Sequence, residues 1–212
     1  MLRHCIMQMQ RQSIPVDHAI YVNSPADEQD GETTLNYQGL LNDLIRGSRN
    51  KVAMGFGPTL STHKNYIVAL NLIDIDDYDL FLKIDDDDLY FRNYAKSVAN
   101  DFVERNWDYS GSESDGLLKG HRWQEHQRQS SLGLVERDLA LNVPEVMPPT
   151  TAFSRRAIRA VMELKDDGNL DDILWRRHLA SIPDMRLAKR GASHFVYHIH
   201  GGNLSTSHWL DN

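Results

Sequence analysis

This 212-residue sequence contains one cysteine, no long apolar run and fewer basic than acidic residues. The single cysteine, Cys5, excludes a disulfide framework and a zinc site built from cysteines. Apolar runs such as 67–70 are too short to cross a bilayer, and we expect no secretory signal, since no charged and then apolar leader opens the sequence. With 23 lysines and arginines against 30 acidic residues, the net charge of −7 argues against a nucleic-acid partner. The composition favours a cytoplasmic protein of one domain.

Apolar patterning predicts that strands and helices alternate through the first half of the chain. The expected strands are 18–24, 51–56, 79–84, 107–112 and 194–199, and the expected helices are 2–13, 34–47, 61–73, 91–102, 155–164 and 172–180. Because parallel strands need crossover connections, this order predicts an α/β fold with a mostly parallel central sheet flanked by helices. Ligands collect at the carboxyl ends of such strands, so we expect Asn23, 55–57 and 85–88 along one edge of the sheet.

Four consecutive aspartates, Asp85–Asp88, follow the strand expected over 79–84. Like charges repel each other, and folding alone does not reward such a cluster. A hard divalent cation such as Mg²⁺ or Mn²⁺ would neutralise it, since these ions take oxygen ligands. Alternation along an extended chain would point Asp85 and Asp87 one way and the other two the opposite way, which leaves open the pair that shares a metal. The alternative is a solvated acidic turn.

A second set of candidate metal ligands lies near the end of the sequence. His198 and His200 share one side of the expected strand at a period of two residues, and a glycine pair follows them. One imidazole added to carboxylate oxygens suits Mn²⁺ at least as well as Mg²⁺. Histidines also cap strand ends without binding anything, so it is the combination with the four aspartates that points to a metal.

An acidic pair, Asp171 and Asp172, opens the helix expected over 172–180. Aspartate is a favoured N-cap, and capping alone explains one of the two. The functional alternative is a general base that a helix start aims into a cleft. In the polar region 113–147, Trp123 is the aromatic residue that we expect to contact an acceptor.

Taken in order, these motifs resemble the GT-A glycosyltransferases, most closely the large inverting family 2 type. The resemblance spans nearly the whole chain, and its specificity lies in the order and spacing of the motifs. The matching segments are 7–12 with 20–24, 54–58 with 63–65, Asp85–Asp88, 148–154, Asp171–Asp172, and His198 or His200 near the end.

The resemblance implies one GT-A (nucleotide-diphospho-sugar transferase) domain over 1–212. Its nucleotide-binding half would be 1–106 and its acceptor-side half 107–212. The implied reaction transfers a sugar from a UDP- or GDP-sugar to an acceptor hydroxyl, with inversion and with Mn²⁺ or Mg²⁺ as cofactor. The implied site residues are Asn23, Gly57, Lys64, Asp85 and Asp86 for the nucleotide, Asp87, Asp85, His200 and His198 for the metal, Asp172 or Asp171 as general base, and Trp123 and Thr151 for the acceptor.

Two features depart from the family pattern. A strand normally precedes the first helix, whereas this sequence begins at the helix. Either the numbering begins late, or the sheet has an open edge that would suit a homodimer. Asn23 also stands where aspartate is more usual. Two other functions fit the same residues: a metal-dependent nucleotidyltransferase that releases pyrophosphate, and a non-catalytic relic of the fold that binds metal, nucleotide or sugar.

Overall fold

The computed structural model of this chain describes most of its sequence, in several ranges. They are residues 2–24, 39, 42, 50–58, 60–112, 116–119, 122–125, 148–165, 172–191 and 194–199. Within these ranges, no helix is both long enough and apolar enough to cross a membrane. The helix expected over 34–47 lies outside them except at Gly39 and Asn42, which are both helical.

Apart from Gly39, Asn42 and two 3₁₀ helices, Ile75–Asp77 and Pro148–Thr150, the described residues contain five α-helices. They are α1 (Leu2–Gln10), α2 (Thr62–Leu70), α3 (Tyr94–Arg105), α4 (Arg155–Met162) and α5 (Asp172–Ser181). All five were expected from the apolar pattern, with ends that differ by a few residues. Hydrogen bonds at the termini explain some of these ends. Ser61 accepts a bond from the amide of Lys64 and caps α2, while Asn106 adopts a left-handed conformation at φ 50° and ends α3.

The strands form three small sheets in the described part of the chain. They are β1 (His18–Ser24), β2 (Val52–Pro58), β3 (Leu80–Leu82), β4 (Leu89–Tyr90), β5 (Tyr109–Gly111), β6 (Gly116–Lys119), β7 (Arg122–Glu125), β8 (Ala152–Ser154), β9 (Leu187–Lys189) and β10 (Phe195–Ile199). The first sheet pairs β1 with β2, the second has the order β4-β10-β6-β7, and the third has the order β3-β8-β5-β9.

The expected mostly parallel central sheet is not confirmed. β1 and β2 are parallel, with Asn23 opposite Gly57, but β3 belongs to a different sheet among the described residues. There β8, from the second half of the chain, lies between β3 and β5 and is antiparallel to both. A three-residue strand has no readable period, so the sequence pattern did not reveal β8 as the partner that makes this sheet mixed.

Two clusters of buried side chains hold these layers together. The first contains Met9, Tyr90, Tyr94, Val98, Trp107, Ala152, Ala188 and Phe195. The second contains Tyr109, Phe153, Ala157, Ile158, Val161, Trp175 and Leu179. The first joins α1 and α3 to the second and third sheets, and the second joins α4 and α5 to the third. The loop between β3 and β4, which carries the four aspartates, is therefore anchored at both ends.

Candidate active site

The four aspartates lie in the loop that joins β3 to β4. The strand expected to run to Ile84 ends at Leu82, and the chain turns at Asp86 and Asp87. The alternation expected of an extended strand is therefore replaced by a graded burial. Asp86 is exposed, Asp85 and Asp87 are half-buried, and Asp88 is only 1% exposed. Asp86 and Asp87 thus present carboxylates toward solvent at the tip of the loop.

The protein itself compensates the charge of Asp85. The buried ammonium of Lys83 donates to both carboxylate oxygens, at 3.0 Å to Oδ1 and 3.1 Å to Oδ2. The hydroxyl of Tyr66, in α2, donates to Oδ1 at 2.8 Å, and Lys83 also lies 5.3 Å from the centre of the Tyr66 ring. Sequence analysis missed both residues. Lys83 could have been noticed, because it lies in a segment expected to be an apolar strand and lysine is rarely buried unless it is paired.

Neighbouring elements hold the backbone of the loop. The amide of Asp85 donates to the Tyr90 hydroxyl at 2.9 Å, and that hydroxyl donates to the carbonyl of Pro149 at 3.2 Å. From α1, the side-chain amide of Gln8 donates to the carbonyl of Asp88 at 3.1 Å, and Cys5 Sγ lies 3.8 Å from the carbonyl of Asp85. Hydrogen bonds with α1 and β4 therefore hold the backbone of the loop at Asp85 and Asp88.

Burial and the neighbouring carboxylates raise the pKa of two groups at the loop. Although Asp86 is exposed as a residue, partial desolvation raises the pKa of its carboxyl, and repulsion from Asp87 and Asp85 raises it further. The same aspartates, together with burial, which is the largest cause, raise the pKa of the Cys5 thiol to about 12. Burial is the largest cause of both shifts, and the neighbouring aspartates add to each.

The residues at the loop fit a hard divalent cation that also binds its substrate. Among the side chains that the structure describes, no group of three or more histidines, cysteines, aspartates or glutamates is arranged to hold a metal. Mg²⁺ in nucleotide sites is commonly bound by one or two carboxylates plus substrate phosphates and waters. Asp86 and Asp87 would supply carboxylates to such a site, and Asp85 binds Lys83 and Tyr66.

The strand that carries His198, β10, pairs with β4, which directly follows the aspartate loop. β10 and β4 are antiparallel, and Val196 pairs with Leu89, the first residue of β4. His198 follows two residues after this pair. The backbone register also places His198 beside Leu118, and Leu118 beside Trp123. With strands about 4.8 Å apart, His198 and Trp123 lie roughly 10 Å apart in one row across the sheet. His200 lies outside the described residues.

The helix with the candidate general base is tied to the donor side of the fold. Asp172 is the first residue of α5, and Asp171 lies outside the described residues. Three residues later, the indole N–H of Trp175 donates to Nδ1 of the buried His63 in α2, at 2.9 Å. The Trp175 ring also meets the ring of Tyr66 edge-on, with centroids 5.3 Å apart. Trp175 therefore packs in the core, and it packs against the residue that binds Asp85.

The remaining predicted residues lie in β1, in β2, in α2 and just before β8. Asn23 and Gly57 are paired at the carboxyl ends of β1 and β2, as expected. Gly57 also has a packing role, because a Cβ there would lie 2.4 Å from the hydroxyl of Tyr21. Lys64 is exposed in the first turn of α2. Thr151 is only 2% exposed, and its carbonyl accepts a hydrogen bond from the amide of Lys83 at 3.0 Å. Acceptor binding by its side chain stays a prediction.

Comparison with known proteins identifies the fold but no family. The sequence matches no protein-family model and no curated protein. The fold is similar to that of S. aureus TarS residues 1–349 in complex with UDP-GlcNAc, with a TM-score of 0.60 and 15% identity over 99% of this chain and 58% of that one. A second structure of TarS 1–349 has a TM-score of 0.55 and 14% identity, over 93% of this chain and 58% of that one. A structure of TarS has a TM-score of 0.52 and 15% identity, over 93% of this chain and 34% of that one.

The chain thus spans little more than half of TarS 1–349. At 15% identity the comparison shows a similar fold, and it does not show the inverting family 2 type.

Proposed function

We propose that this chain is a glycosyltransferase that moves a sugar from a UDP- or GDP-sugar to an acceptor hydroxyl, with Mn²⁺ or Mg²⁺ and with inversion. The observation that carries the proposal is the aspartate loop, where Asp86 and Asp87 reach solvent while Lys83, Tyr66 and Tyr90 fix Asp85. The similarity to a fold solved with UDP-GlcNAc supports a sugar-nucleotide donor.

Asp87, with Asp86 and His198 or His200, would hold the cation. When bound, it would neutralise the charge that develops on the departing diphosphate. The pairing of β10 with β4 supports this set, because His198 follows two residues after Val196, which pairs with Leu89 at the end of the aspartate loop.

Asp85 has a different role in this proposal. Its Oδ1 accepts from Tyr66 and Lys83, and its Oδ2 accepts from Lys83. A carboxylate has about four acceptor positions, so Oδ2 retains room for a donor such as a ribose hydroxyl. Because Lys83 balances its charge, Asp85 is better suited to orient the nucleotide than to bind the cation. Asn23, Gly57 and Lys64 would line the same nucleotide-binding half, 1–106.

Asp172, or its neighbour Asp171, would remove the proton from the acceptor hydroxyl. A well-placed general base contributes about 10²- to 10⁴-fold to the rate. Attack from the side opposite the leaving diphosphate inverts the anomeric carbon. Trp123 and Thr151 would contact the acceptor.

Calorimetry with UDP and GDP, with and without Mn²⁺ or Mg²⁺, tests the proposal first. We expect nucleotide binding that requires the metal and is lost in Asp87→Asn. Asp77→Asn is the matched control, because Asp77 is exposed, carries the same charge and lies outside the loop. Tight binding that survives both EDTA and Asp87→Asn would refute the metal assignment.

Turnover then separates the alternatives. Incubation with a panel of sugar nucleotides should release a nucleoside diphosphate, and Asp172→Asn should abolish this release while nucleotide binding persists. Binding without turnover would favour a non-catalytic relic. Release of pyrophosphate from nucleoside triphosphates would favour a nucleotidyltransferase.

A further inference from the structure

Trp175 in α5 makes a side-chain hydrogen bond in addition to its apolar ring contacts. It is 3% exposed, and its indole N–H donates to His63 Nδ1 at 2.9 Å. The ring meets the edges or faces of His63, Tyr66 and Phe153, at centroid distances of 5.6, 5.3 and 6.0 Å. One side chain thus connects α5 to α2 by both a polar bond and ring contacts.

Tyr66 extends these contacts to the aspartate loop. Its hydroxyl donates to Asp85 Oδ1 at 2.8 Å while its ring packs on Trp175. A continuous chain of contacts therefore runs from Asp85 through Tyr66 and Trp175 into the first turn of α5. Asp172 occupies the start of that turn, three residues before Trp175.

The polar bond between Trp175 and His63 fixes the position of one helix against the other. Both side chains are buried, and a buried polar group is unfavourable unless it finds a partner. A purely apolar contact would let α5 slide along α2, whereas the N–H···N bond is satisfied at one relative position. The bond also requires the His63 tautomer with its proton on Nε2.

We propose that Trp175 is a positioning residue that couples the donor site to the general base. It holds the first turn of α5 in place relative to Asp85, so that a nucleotide bound at Asp85 also orders the turn that carries Asp172. The inference rests on the proposed function. Because a misplacement of about 1 Å can cost about 10²-fold in rate, such a link has a measurable effect on catalysis.

Amide hydrogen exchange of residues 172–181, with and without UDP and Mn²⁺, tests the coupling without requiring turnover. In the unsubstituted chain, we expect the nucleotide to slow exchange in this segment about fivefold or more. Trp175→Phe keeps the aromatic ring and removes the N–H, while Tyr66→Phe keeps the ring and removes the bond to Asp85. Both substitutions should abolish the nucleotide-dependent slowing.

Kinetics provide the second measurement. Trp175→Phe should lower kcat about tenfold and leave the Kd for UDP with Mn²⁺ unchanged, because the residue acts on the base and not on the nucleotide. Trp107→Phe is the matched control, since Trp107 is 1% exposed and donates its own N–H to Asp101 at 2.7 Å. This control should lose stability but retain both kcat and the exchange response.

The outcomes separate this inference from the function on which it rests. If neither UDP nor GDP binds the unsubstituted chain with Mn²⁺ or Mg²⁺, both are overturned; if only GDP binds, the exchange and kinetic measurements use GDP in place of UDP. If UDP binds but exchange over 172–181 does not change, or changes equally in Trp175→Phe, the coupling alone is overturned. An equal loss of kcat in Trp107→Phe also overturns it. If Trp175→Phe does not fold, His63→Leu removes the acceptor instead and should give the same loss of coupling, whereas His63→Gln supplies another acceptor and should retain it.

Discussion

The ammonium of Lys83 bridges both carboxylate oxygens of Asp85, two residues further along the chain, at 3.0 and 3.1 Å. The lysine side chain is 4% exposed and that of Asp85 is 30% exposed. One of the four aspartates is therefore neutralised by the protein before any cation binds. The fold thus holds Asp85 by an ion pair, whereas Asp86 and Asp87 lie at the turn of the loop.

Replacing Lys83 tests the role of this ion pair. Lys83→Met should raise the affinity for Mn²⁺ in the absence of nucleotide by about fivefold, because the loop loses a nearby positive charge. It should also lower the free energy of unfolding by about 2 kcal/mol, since Asp85 loses its partner but remains partly solvated. Metal titration and urea denaturation measure the two effects. Lys96→Met, at an exposed position of α3, should change neither; weaker Mn²⁺ binding in Lys83→Met would contradict the prediction.

Removing the Tyr90 hydroxyl should destabilise the folded protein, because this hydroxyl joins the aspartate loop to Pro149. Tyr90→Phe leaves the amide of Asp85 and the carbonyl of Pro149 without this shared partner, which should cost about 1–3 kcal/mol in the free energy of unfolding. Tyr21→Phe is the control, because its bond to the Pro58 carbonyl is exposed, and we expect a change within about 0.5 kcal/mol. Equal unfolding midpoints for the two variants would contradict the prediction.

Gly57 and Tyr21 should behave as a coupled pair. Gly57→Ala places a Cβ 2.4 Å from the Tyr21 hydroxyl, so the ring must move, at an expected cost of about 1–2 kcal/mol. In the background of Tyr21→Phe the closest atom is gone, and the same substitution should cost less. Gly191→Ala, with no atom within 4 Å of its Cβ, should be neutral. Strict additivity of the two changes in thermal unfolding would disprove the coupling.

The Cys5 thiol should be inert in the folded protein. Burial, with the aspartates of the loop, raises its pKa to about 12, so almost no thiolate exists at pH 8. We expect a disulfide reagent to react about a thousandfold more slowly with the native chain than with the chain unfolded in guanidinium, where the thiol pKa is near 8.5. Similar rates in the two states would show that the thiol is accessible.

Stability should fall under mildly acidic conditions because of His18. Burial lowers the pKa of this histidine in the folded state, against a smaller opposing effect of Asp17. Since the unfolded chain then binds more protons, this contribution to stability is complete above the unfolded pKa of about 6.5 and is lost as the pH falls below it. Urea midpoints at pH 8 and pH 5 should differ less in His18→Gln than in the unsubstituted chain. An unchanged difference would rule out His18 as the cause.

The residues that sequence analysis missed share one property. Tyr66 and Trp175 are half-buried or buried in helices, and Lys83 is buried directly after β3, at positions where an apolar pattern indicates core. Their functional meaning lies in partners that are distant in sequence, such as His63 for Trp175, 112 positions away. No local period carries that information. The aspartates, in contrast, stood out because four like charges in a row have no local structural explanation.

By itself, the sequence determined the helices, the parallel pairing of β1 with β2 and the position of the aspartate run after an apolar strand. These depend on local periodicity, caps and turn residues, which act over a few neighbouring positions. Only the tertiary structure decided that β8 lies between β3 and β5, that Lys83 neutralises Asp85, and that Trp175 joins α5 to α2. Each of these is a choice among many distant partners, and it is made by packing and by the need to pair buried polar groups.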